Sequence, residues 1–161
     1  MDCEVHMPHF RDEARWEDDT LVSVDVGARN KAKKYIFNEY HYATKGERQL
    51  AELLHHFDIP FTPDVPFSLA TPDGGTRRFV PDFVFDKKAY VWCARTGGKL
   101  VHGIEAKGKT HNGEFSAKAL ENVRLLYEQR GIRILLLSNS QIKQYFNNHR
   151  LPLKPFEPPN L

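Results

Sequence analysis

Only two of the 161 residues are cysteine, Cys3 and Cys93. That is too few for the disulfide framework that staples small secreted domains, so free thiols in a cytoplasmic setting are the expectation. The start, Met1-Asp2-Cys3-Glu4, offers neither a basic nor an apolar segment, and no secretory signal is expected. Apolar runs such as Ile134 to Leu137 fall far short of the roughly 20 residues that span a bilayer, so no membrane partner is expected. No glycine-rich phosphate loop of either nucleotide-binding type is present, and Ser138-Asn139-Ser140 lacks the Gly-x-Ser-x-Gly surroundings of a serine hydrolase. Cys3, His6 and His9 match no compact zinc pattern, and Cys93 is distant from them in the chain.

What is present describes one soluble domain. Forty per cent of the residues are apolar and 27 per cent charged, with 11 Phe and 6 Tyr to build a core. The net charge of +2 hides an asymmetry: residues 1 to 20 hold seven acids and two bases, leaving 21 bases and 14 acids elsewhere. A body carrying +7 attracts a polyanion, although mild basicity also serves plain solubility.

Residues 1–43 read as an N-terminal extension. Leu21 to Val26 alternates like a short strand, and Lys31, Lys33 and Lys34 are interleaved with Tyr35, Phe37, Tyr40 and Tyr42. Such a mixture suits a phosphate backbone, or equally a solvated face. Residues 44–150 read as the folded core. Thr44 followed by Glu47 matches a capping box, and Leu50, Leu53, Leu54 and Phe57 make one apolar stripe of a helix that ends before Ile59-Pro60. A hairpin is expected from Val65 to Val80 around Pro72-Asp73-Gly74-Gly75. A second helix is expected over 116–129, facing inward through Ala119, Leu120, Val123, Leu126 and Tyr127 and closed by Gly131. Ile132 to Leu137 should be a strand covered on both faces, parallel to the strand before that helix. Ser140 is the expected cap of a last short helix, and residues 151–161, with four prolines, read as a tail.

The chemistry concentrates in two runs. Phe79-Val80-Pro81-Asp82-Phe83-Val84-Phe85 opens one strand, and Leu100 to Gly108 contains Gly103-Ile104-Glu105-Ala106-Lys107. Alternate side chains of a strand share a face, so Glu105 and Lys107 point one way and Ala106 the other. If the Asp82 strand lies beside them, two carboxylates and an ammonium gather at one sheet end. Two carboxylates that close attract a hard divalent cation, and the neighbouring lysine is placed to hold a metal-activated water. The 23 positions between Asp82 and Glu105 require Ala89 to Ala94 to be an inserted strand or an extended ribbon.

A helix bearing an acid, then Pro-Asp, Glu-x-Lys, a crossover helix and a buried strand: over residues 44 to 140 this order resembles the PD-(D/E)xK nuclease superfamily. In layout it resembles the phage endonuclease I group of junction resolvases and the transposon end-cleaving nucleases. The resemblance implies an α/β fold with a restriction-endonuclease-like core, a mixed β-sheet flanked by helices in the order αβββαβ. It implies a metal-dependent endonuclease acting on DNA, with Mg²⁺ or Mn²⁺ held by Asp82, Glu105, the Ala106 carbonyl and Glu47. Lys107 would orient or activate the attacking water. Cutting two strands with one site per chain calls for a homodimer or a protein partner. The rival reading is a non-cleaving or partner-dependent nucleic-acid-binding subunit of a recombination or transposition complex.

Overall fold

A computed structural model describes residues 14–17, 20–22, 34–87, 90–94, 98–109 and 112–157. Cys3, His6, His9, Lys31, Lys33, Thr110 and His111 lie outside these residues. In chain order the described elements begin with β1 (Arg15–Glu17), β2 (Thr20–Val22), β3 (Tyr35–Phe37), β4 (Tyr40–Tyr42) and α1 (Lys45–His56). Next come β5 (Phe61–Pro63), β6 (Phe67–Ala70), β7 (Thr76–Phe79), β8 (Phe83–Phe85), β9 (Tyr90–Trp92), β10 (Lys99–Val101) and β11 (Gly103–Lys107). The chain continues with α2 (Ala117–Arg130), β12 (Ile134–Ser138), α3 (Asn139–Asn147) and β13 (Leu153–Pro155). The protein is therefore mixed α/β. Among the described residues no helix is long and apolar enough to cross a membrane.

Local chemistry sets the helix ends. Thr44 Oγ1 accepts the Glu47 N–H at 3.1 Å, which starts α1. Leu50, Leu53 and Leu54 then fall on one buried face. Ser116 caps α2, and Gly131 ends it in the left-handed region at φ 67°. The inward face of α2 is narrower than its periodicity suggests: Ala119, Leu125 and Leu126 are buried, while Leu120 and Tyr127 face solvent. The expected cap of the last helix also shifts, from Ser140 to Ser138. A capping box needs an amide or acid three residues on, and Gln141 meets that need for Ser138: its side chain accepts the Ser138 N–H at 2.9 Å, while Ser138 Oγ accepts the Gln141 N–H.

The central sheet has the order β12-β11-β8-β5. β11 and β12 are parallel and joined through α2; β8 is antiparallel to both β11 and β5. Helices and central strands thus follow one another as α1, β5, β8, β11, α2, β12, α3. Strand alternation divides the core in two. Phe83, Phe85, Ile104 and Leu137 join Leu50, Leu54 and Ile142 on the α1/α3 face. Val84 and Ile134 join Leu125, Leu126, Phe67 and Leu69 on the face covered by α2 and the β6–β7 hairpin. Fully burying a side chain such as Phe83, Phe85 or Leu126 stabilises the fold by roughly 1.5–3 kcal/mol.

The Ala89 to Ala94 run is the ribbon alternative rather than an insertion: β9 leaves the central sheet and pairs with β10 and β13. β13 comes from the proline-rich tail, whose Leu151 and Leu153 enter the α1/α3 core. From the N-terminal side, Tyr42 enters that same core, and the Trp16 indole N–H donates to the Phe85 carbonyl at 2.9 Å.

Candidate functional site

Register decides whether the two carboxylates meet. β8 and β11 pair Val84 with Gly103 and Phe83 with Ile104, so the next rung sets Asp82 opposite Glu105. At that rung the ladder changes character. One rung further on, Pro81 faces Ala106 with no N–H to offer, and side chains take over. The Asp82 N–H donates to Glu105 Oε1 at 2.9 Å, and the Ala106 N–H donates to Asp82 Oδ2 at 2.8 Å. A buried carboxylate without a donor would cost several kcal/mol; this exchange gives each one a backbone N–H and fixes its direction. Only 4 % of Asp82 and 6 % of Glu105 is exposed.

Both acids open on a cavity of about 500 Å³. Lys107 and Ala106 line it, as does Glu47 from the first turn of α1. All five residues singled out from the sequence therefore share one cavity. Lys107 follows Glu105 by two positions on β11 and shares its strand face, while Ala106 packs toward the α1/α3 core. The Glu47 carboxylate accepts the Thr44 hydroxyl at 2.9 Å, so this side chain serves the cap and the cavity wall together. Lys109 lies 5.3 Å from the Phe115 ring centroid, outside the residues that line the cavity.

Behind the acids runs a second buried layer. Asp64, 4 % exposed and at φ 54°, donates its N–H to the Asp82 carbonyl at 3.1 Å and accepts the Tyr40 hydroxyl. Burial holds the Tyr42 phenol well above the ordinary tyrosine value, with the Asp64 and then the Glu47 carboxylates adding to the shift. Asp64 carries a sequence signal of its own, since Pro63-Asp64 repeats the dipeptide Pro81-Asp82. Continuing the β5–β8 register places the two aspartates side by side. The cavity also takes Arg78 from β7, Lys118 and Asn122 from α2, and Asn139 from α3, none of which belongs to the short motif.

Among the described residues no three His, Cys, Asp or Glu side chains form a cluster able to hold a metal. Asp82 and Glu105 are the pair that meets, and Glu47 stands on the same wall without making a triad. An all-oxygen pair beside open space fits Mg²⁺ or Mn²⁺, which retain several waters and take one or two protein carboxylates. It does not make a four-ligand zinc site. No protein-family model, no curated protein and no solved structure matches the chain.

Proposed function

We propose that this protein is a divalent-metal-dependent endonuclease hydrolysing DNA phosphodiester bonds, built on a restriction-endonuclease-like core. One observation carries the reading: Asp82 and Glu105 lock one another through backbone N–H groups at the mouth of a cavity, with Lys107 on the same strand face. The chain order α1, β5, β8, β11, α2, β12 supports it, being the αβββαβ order of that core.

Asp82, Glu105 and the Ala106 carbonyl would hold Mg²⁺ or Mn²⁺, with Glu47 reaching it through water. When bound, the ion supplies charge neutralisation on the phosphate and a lower pKa for a coordinated water. The chain's own groups do the rest. The Asp82–Glu105 exchange keeps both carboxylates in place without reorganisation during the reaction. Lys107 hydrogen-bonds the attacking water and offsets charge building on the phosphate. Water adds to phosphorus as the bond to the sugar oxygen breaks, its proton passing to solvent while the leaving oxygen takes one up from a second water. Cutting both strands requires a second site, from another copy or a protein partner.

The test is incubation with supercoiled, linear and branched DNA in Mg²⁺, Mn²⁺ or EDTA. Cleavage in metal and none in EDTA is expected. Even the residues behind metal ligands are commonly worth 10–100-fold in activity, so Glu105→Gln should cost more than about 100-fold and Lys107→Ala a comparable loss, with the fold intact. Glu105→Gln cutting within about tenfold of wild type would sink the assignment. Binding of DNA without cleavage in any metal would favour the non-cleaving or partner-dependent subunit instead.

A further inference from the structure

The cavity has two chemically different walls. Three acids and Lys107 come from the adjoining ends of the central strands β8 and β11 and from α1. A second part of the lining comes from β7 and the start of α2, and its contributions include Arg78, Lys118 and Asn122 but no acid. Asn122 is oriented rather than loose: its Oδ1 accepts from Arg77 Nη1 at 2.8 Å. An amide whose oxygen is engaged keeps its NH₂ as the group to offer, and an NH₂ is a donor only. Arg77 is itself held by Glu121 at 2.9 Å and does not line the cavity. Lys118 and Asn122 stand four residues apart on α2, one helical turn, and so share a face.

We propose that Arg78, Lys118 and Asn122 form a phosphate-holding wall. It grips the anionic backbone of the substrate while the carboxylates of the same cavity work on the bond to be cut. The inference rests on the phosphodiester reading of the site. It assigns substrate binding and hydrolysis to residues on different elements of the cavity lining, so the two should be separable by mutation. The cavity volume is that of a small-molecule site, which suits one strand's backbone rather than the width of a duplex. Arg77 lies outside the cavity lining and orients Asn122.

The wall can be read without turnover. In the Glu105→Gln background, with EDTA present, binding of a short fluorescein-labelled duplex is followed by anisotropy across a salt series. Each phosphate contact made by a cation adds about one to the slope of log K against log salt. Lys118→Ala and Arg78→Ala should each weaken binding and lower that slope by about one. Lys118→Arg should restore it, and Lys154→Ala, on β13 outside the cavity, should leave it unchanged. Both side chains are exposed, so thermal melts matching the parent are expected. Wild-type slopes in both alanine variants overturn the inference and leave the nuclease reading standing. Absence of DNA binding at low salt overturns both. Lowered slopes in a chain that cleaves nothing would keep the wall and remove the nuclease.

Discussion

Replacing Gly103 by alanine adds a single methyl group, and two effects of opposite sign compete. Glycine inside a strand costs about 0.5–1 kcal/mol of backbone entropy relative to alanine, so the exchange would stabilise an open position. Here the new Cβ would stand 2.3 Å from the Phe83 carbonyl oxygen, 2.9 Å from Ile134 Cδ1 and 3.2 Å from Val84 Cα. Ile134 can turn its terminal methyl aside. Phe83 cannot yield in the same way, because its carbonyl belongs to β8 and moves only if the strand moves. Overpacking of a close-packed interior costs about 1–3 kcal/mol, and a backbone clash lies at the upper end. The clash therefore wins, with a net loss of about 2 kcal/mol, equivalent to roughly 4–8 °C in Tm for a chain of this size. Urea unfolding followed by circular dichroism reads the change as a lower midpoint at unchanged m. The displacement has a second consequence, since Asp82 directly precedes Phe83 and would be drawn from Glu105. Cleavage should fall even well below the transition temperature. A Gly103→Ala protein as stable as the parent would refute the packing argument and the β8–β11 register on which the site depends.

Two more perturbations examine the frame of the site. Ser138→Ala removes the hydroxyl that accepts the Gln141 N–H and should cost about 1 kcal/mol of stability in the same unfolding assay. Ser140→Ala should stay within about 0.5 kcal/mol, and the reverse ranking would contradict the observed cap. The Tyr42 phenol is raised by burial and by its acidic neighbours, so the folded chain favours its protonated form. That contribution is complete below the ordinary tyrosine value of about 10 and is lost as pH rises from there toward the folded value. Tyr90 shifts in the same direction, from burial and Asp86. The urea midpoint should therefore fall above about pH 10, less steeply in Tyr42→Phe; equal slopes in the two proteins would show that Tyr42 is not the group responsible.

How far these features can be read beforehand depends on whether their causes are local. The α1 cap and the Gly131 stop rest on spacings within one turn, and they stand in the sequence; the strand expected over Ile132 to Leu137 is present as Ile134–Ser138, with Leu135 and Leu136 half-buried rather than covered on both faces. The shared face of Glu105 and Lys107 stands there too, since it follows from strand alternation alone. The β3–β4 hairpin was hidden because its two turn residues, Asn38 and Glu39, sit at φ 50° and 65°. That turn usually announces itself by Asn-Gly, and glutamate sends no such signal. β13 was hidden because three residues carry too little periodicity and its partner β9 lies far back in the chain. Arg78, Lys118 and Asn122 were hidden for another reason: only packing of α2 against the hairpin brings them to the cavity, and no spacing rule records that.

The long interval between Asp82 and Glu105 looks like a weakness of the motif but is irrelevant to the geometry. Between them the chain leaves the central sheet, builds the β9–β10 ribbon and returns, and the return register is set by β8 and β11 themselves. Gly103 allows those strands to approach closely. Pro81 ends the backbone ladder one rung beyond the carboxylates. Buried apolar residues at 83, 84, 85 and 104 hold the strands together, and the acids occupy the first rung beyond them. The core thus fixes the position of the charges. An isosteric amide at Asp82 or Glu105 keeps an oxygen that can accept the same backbone N–H and leaves the strands where they are, whereas a one-atom change at Gly103 displaces strand and site together.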